Sequence, residues 1–123
     1  RRQGGNPLDS VERVVDHGGL LDLQRQVDAV HLSDQVLEYV VSLTGATRVH
    51  PMIEQGASPR ASLALSAMAK AAAFVQNRDY VLPEDVTLVF KDTVAHRLIL
   101  SPRAGENDPL EDVLRAVAPP RVR

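Results

Sequence analysis

The sequence contains no cysteine, which removes disulfides and thiol catalysis and fits a reducing compartment. Tryptophan is absent too, and only two tyrosines and two phenylalanines are present. With Ala, Leu and Val plentiful, the core is expected to be helical and closely packed rather than an aromatic-rich sheet. No apolar run approaches the roughly 20 residues that cross a bilayer, and no signal peptide opens the chain. Basic residues do not cluster: the net charge is -2, and the 14 Lys and Arg are scattered without the stripe that tracks a phosphate backbone. A soluble, cytoplasmic domain with no nucleic-acid partner and no membrane insertion is the expectation.

Several catalytic signatures are missing as well. Neither GxxxxGK[ST] nor GxGxxG occurs, so the chain holds no complete nucleotide-hydrolysing site. His17, His31, His50 and His96 never lie three or four residues apart and no HExxH is present, so no metal site is expected. No GxSxG elbow surrounds Ser58 or any other serine. Glu84 with Asp85, and Glu111 with Asp112 after Asp108, sit where first helical turns favour acids.

What remains is a helical pattern over 123 residues, enough for one domain with a real core. The chain begins with Arg1 rather than Met and reads as a piece of a longer protein. "RRQGGN", residues 1–6, reads as a linker, residues 7–118 as the helical domain, and 119–123 as a tail. A short helix is expected around "PLDSVERVV". Leu20, Leu23, Val27 and Val30 form a one-sided helical stripe. Ser33 would cap a helix burying Val36, Leu37, Val40, Val41 and Leu43. "VHPMIEQGA" reads as a loop.

The helix starting at Pro59 is so apolar that it should be central and covered on several sides, with Ser62, Ser66, Lys70, Ala73 and Asn77 as its narrow polar stripe. Asn77 can close it. A further helix begins at Pro83, and "PLEDVLRAV" ends the pattern. "RLIL", residues 97–100, is either a last helical turn or a small strand. The fold class is all-α: a small bundle of five to six helices, with room for one very short strand pair.

Within "GASPRAS", Ser58 is placed to cap the helix and Pro59 to occupy its first position. Arg60 follows, a cation at the positive end of the helix dipole, which costs roughly 0.3–1 kcal/mol where exposed. Read alone, it fits a surface arginine whose stem covers apolar area. The glycine approach, the helix start and the guanidinium together also fit an anion site, with charge-assisted hydrogen bonds to a phosphate.

"GASPRASLAL", then "RDYVLPEDV", then "VAHRLIL", in that order, resemble the C-terminal lid of the MoxR family of AAA+ ATPases. The likeness covers roughly Asn6 to Ser101 and includes "HLSDQVLEYVVSL" and "TRVHP". The resemblance implies a helical lid beside an upstream P-loop core domain in the same polypeptide. Arg60 would then be the sensor-2 arginine that reaches the γ-phosphate of ATP, with Gly56, Ala57, Ser58 and Pro59 near the nucleotide. ATP and Mg2+ would be bound mainly by that core domain, with none expected on this fragment, which alone should be inactive while the whole protein hydrolyses ATP.

The family also implies ring assembly, commonly hexameric, and chaperone-like remodelling of clients, often with von Willebrand factor A domains. Two positions depart from the pattern: Asn77 where glycine is frequent, and Leu82 where a Thr or Ser cap is common. The second should weaken that helix start by roughly 1 kcal/mol. A stand-alone helical protein-interaction module without nucleotide chemistry is the alternative reading. A helical DNA-binding module is disfavoured by the acidic balance.

Overall fold

The structure, a computed structural model, describes residues 5–121, so parts of the expected linker (1–4) and tail (122–123) lie outside the described residues. Helix starts follow local chemistry. Asp16 accepts a hydrogen bond from the Gly19 N–H at 2.7 Å and opens α1, His17–Asp28. Ser33 accepts from the Val36 N–H at 3.3 Å and opens α2, Asp34–Thr47. Pro59 and Pro83 begin α3 (Pro59–Val75) and α4 (Pro83–Val94), where a missing N–H is harmless. Asp108 caps α5, Pro109–Ala116. Short 3-10 turns occupy Pro7–Ser10, Ala95–Arg97 and Pro102–Ala104.

Two short strands join this bundle. β1 (Ile53–Gln55) pairs antiparallel with β2 (Ile99–Leu100), with Ile53 opposite Leu100 and an irregularity before Gln55 meets Ile99. The open reading of 97–100 therefore resolves: Arg97 ends the 3-10 turn, and Ile99–Leu100 is strand. β1 lies in what reads from sequence as a loop. Elsewhere, the "HLS" connector is held by an isolated parallel bridge, in which His31 N–H donates to Asp79 O and Val81 N–H donates to His31 O.

α3 packs most extensively on α4, and also on α2 and α1. Its buried line is Ala61, Leu65, Ala69 and Ala73, one residue per turn, and the alanines let neighbours approach closely. Phe90, Leu43, Val36, Val40 and Val86 complete the core. Asn77 closes α3 as expected, in the left-handed region at φ 61°. Its N–H donates to Phe74 O and the Arg78 N–H to Ala73 O, satisfying two late carbonyls of the helix.

Three expectations about faces need correction. α3 is not covered all round: Leu63 and Val75 are 73% and 75% exposed, and Met68 is also exposed. Its neighbours cover the alanine line and the adjoining side that carries Ser62, Ser66 and Lys70, and leave Leu63, Ala67 and Met68 open. Ser62, Ser66 and Lys70 instead lie half-buried, with Ser62 Oγ 2.7 Å from Thr44 Oγ1 and Lys70 Nζ donating to Asp28 O. The α1 stripe is real only at its end: Val30 is buried and Val27 half-buried, whereas Leu20 and Leu23 are exposed. On α2, Leu37 and Val41 are exposed, because burial follows Val36, Tyr39, Val40 and Leu43.

Candidate functional site

Arg60 occupies the second position of α3, exposed at the rim of the bundle. The described contacts to carboxylates are made by His50, Arg78, Lys91 and Arg115, so Arg60 has no carboxylate partner among the described residues. Ser58 stands at the cap in extended conformation (φ -77°, ψ 168°), but its side chain makes no capping hydrogen bond. The expected cap is thus absent: Ser58 is exposed, where water can serve both hydroxyl and amide without penalty. Ala61 N–H donates to Ser58 O at 2.9 Å, while the Arg60 N–H has no backbone acceptor among the described residues. The first turn of α3 therefore presents a free amide and a free guanidinium together, both suited to anionic oxygens.

The segment before it points inward. Ala57 is buried, and its N–H donates to Thr47 Oγ1 at 2.9 Å while its carbonyl accepts from Arg48 Nε at 2.8 Å. Gly56 is pressed against the end of α2: a Cβ there would lie 2.6 Å from Arg48 Cα and 2.7 Å from its nitrogen. Thr47, itself buried, also donates its hydroxyl hydrogen to Thr44 O. Of the residues read from sequence as lying near a nucleotide, Ser58, Pro59 and Arg60 face solvent, whereas Gly56 and Ala57 anchor that turn to α2. Thr47 and Arg48 entered the sequence reasoning only within "TRVHP", with no role given to either. Their partners lie on a neighbouring element, and no local spacing announces that.

A second cluster stabilises the opposite end of α3. Asp85 accepts two 2.6 Å hydrogen bonds from the Arg78 guanidinium and one of 2.7 Å from the Leu82 N–H. Burial would raise the Asp85 carboxyl, but Arg78 and the amide outweigh it and hold the group below its usual range. Asp85, accepting from the Leu82 N–H, supplies the reciprocal half of a capping box at the start of α4, while the Leu82 side chain offers the first-turn amides no acceptor. Between α4 and α5, Lys91 bridges Asp108 and Glu111, each at 2.7 Å, and holds the Asp108 carboxyl low.

A cleft of about 670 Å³ lined by Gln26, Val30, Phe74, Asn77 and Asp79 lies at the Asn77 end, away from Arg60. Among the described residues, no group of three or more His, Cys, Asp or Glu could hold a metal ion. No helix there is long and apolar enough to cross a membrane.

The helical bundle with its Pro59 helix start is that of an AAA lid: the family model described as "AAA lid domain" matches residues 45–117, and the chain belongs to that family. It is homologous to the C-terminal region of MoxR-type proteins. It is 36% identical to "Chaperone MoxR1" of Mycobacterium tuberculosis over 98% of this chain and 36% of that protein. Identity is 37% to "Uncharacterized protein YeaC" of Bacillus subtilis, over 84% of this chain and 32% of that protein. A crystal structure of a Cytophaga hutchinsonii protein, named provisionally as an ATPase, superposes with a TM-score of 0.78 at 35% identity, covering 85% of this chain and 36% of that one. The chain spans about a third of the length of these relatives. A lid domain implies an associated AAA core domain.

Proposed function

We propose that this lid contributes Arg60 to ATP sensing and hydrolysis on an AAA core domain of the same polypeptide. The observation that carries the reading is the pairing of an unpartnered guanidinium with an unused first-turn amide on an exposed helix start. Such a pair is poorly used in water and well used against the γ-phosphate of a nucleotide. In phosphoryl transfer, charge on the equatorial oxygens is stabilised by positioned cations, so one arginine can change the rate by orders of magnitude.

The triphosphate and its Mg2+ would be held mainly by the core domain, since this chain offers the arginine and not a phosphate-binding loop. Because Arg60 rides on a separate domain, attraction to the γ-phosphate draws the lid closed, and loss of that phosphate releases it. Nucleotide state then becomes domain angle, the basis of a chaperone-like remodelling cycle carried out in an oligomeric ring. The names of the relatives, a chaperone and a provisional ATPase, are in keeping with this.

Arg60→Ala in the full-length polypeptide tests the proposal. Expected is a properly folded protein with an unchanged melting temperature and ATP turnover lowered by about 10²–10³-fold, in the range seen when one charge-stabilising donor is removed. Undiminished hydrolysis would remove Arg60 from the reaction.

A further inference from the structure

We infer that Thr47 and Arg48, at the end of α2, are positioning residues for Arg60. This rests on the sensor reading and extends it to residues that touch no nucleotide. Three contacts fasten the segment leading into α3 to the end of α2. Thr47 Oγ1 accepts from the Ala57 N–H, and Arg48 Nε donates to the Ala57 carbonyl. Gly56 closes against the Arg48 backbone with no room for a methyl group. On the far side of Arg60, Ser62 Oγ meets Thr44 Oγ1 at 2.7 Å.

Arg60 is thus bracketed at Ala57 and Ser62 by bonds to α2, while its own side chain makes no hydrogen bond or ion pair among the described residues. Its stem is flexible, so the direction in which the guanidinium leaves the bundle is set by the backbone of this turn. A misplacement of about 1 Å at a reacting group can cost on the order of 10²-fold in rate. Thr47 is well suited to the task because one buried hydroxyl both donates, to Thr44 O, and accepts, from Ala57. Arg48 is exposed, so its stem could be kept while its donor is removed without opening the core.

The experiment is a double-mutant cycle on ATP hydrolysis by the full-length polypeptide, using Thr47→Val, Arg48→Met and Arg60→Ala. Thr47→Val and Arg48→Met are each expected to lower kcat by about tenfold, with little change in KM for ATP. In the Arg60→Ala background neither should lower it further, because the side chain through which they act is gone. Thr47→Ser, which keeps the hydroxyl, should restore kcat. Should Thr47→Val fail to fold, Arg48→Met with Arg48→Lys carries the cycle. Lysine keeps charge but has no Nε–H and is not expected to rescue.

Full kcat in both single variants would overturn the inference, and so would losses that multiply undiminished on top of Arg60→Ala. An Arg60→Ala protein that hydrolyses ATP normally is a separate result: it strikes the sensor reading itself and takes this inference with it.

Discussion

Burial alone would make Asp85 reluctant to ionise, yet two bonds from Arg78 and one from the Leu82 amide keep it charged. Removing Arg78 leaves that carboxylate buried with a single amide, and Arg78→Ala is expected to cost on the order of 3 kcal/mol in urea unfolding. The pH dependence follows from the direction of the shift. Asp85 titrates lower in the folded than in the unfolded chain, so its contribution is fully present above the unfolded value, about pH 4. It is lost as pH falls through the folded value. Midpoints in urea should therefore decline below about pH 4, and Arg78→Ala should flatten this decline. Sequence reasoning could assign Asp85 only to the helix dipole, since its pairing depends on where the "NRDY" turn lands after α3 closes. The place of Arg60 in the first turn of α3, by contrast, was legible, because its oddity is local: a cation in the wrong turn of a helix.

Among the elements, α2 to α5 were legible from their starts at Ser33, Pro59, Pro83 and Asp108. These chemical signals act within one helical turn. β1 was not, because its three residues include one apolar side chain and exist as strand only through pairing with β2. The faces of α3 were misread for a related reason. A run of alanines fits inside or outside equally well, and tertiary packing decides. Gly56 illustrates what such packing demands at the α2–α3 junction. Gly56→Ala places a methyl group against backbone that has no freedom to yield. It should destabilise by about 1–3 kcal/mol in a denaturation experiment, the usual range for overpacking. An unchanged midpoint would mean that the junction is looser than its distances indicate.

Taken as a whole, the domain carries one free amide and one free guanidinium at the start of α3 and no phosphate-loop motif, so by itself it is expected to turn over no ATP. Steady-state assays on the purified chain check this, and robust hydrolysis would contradict the division of labour proposed above. The exposed Leu63, Met68 and Val75 lie along α3, the same helix that begins with Arg60. α3 also contains no glycine or proline after its first residue, so nothing along its 17 residues invites a bend. A helix of that length is about 25 Å long, and turning the whole domain by about 10° around the first turn of α3 would carry the far end of the helix through about 4 Å. The end that would sweep furthest is the Asn77 cleft. On the reading proposed above, a small pull on one guanidinium would in this way be geared up, as by an oar turning in its rowlock, into displacement at the opposite edge of the molecule.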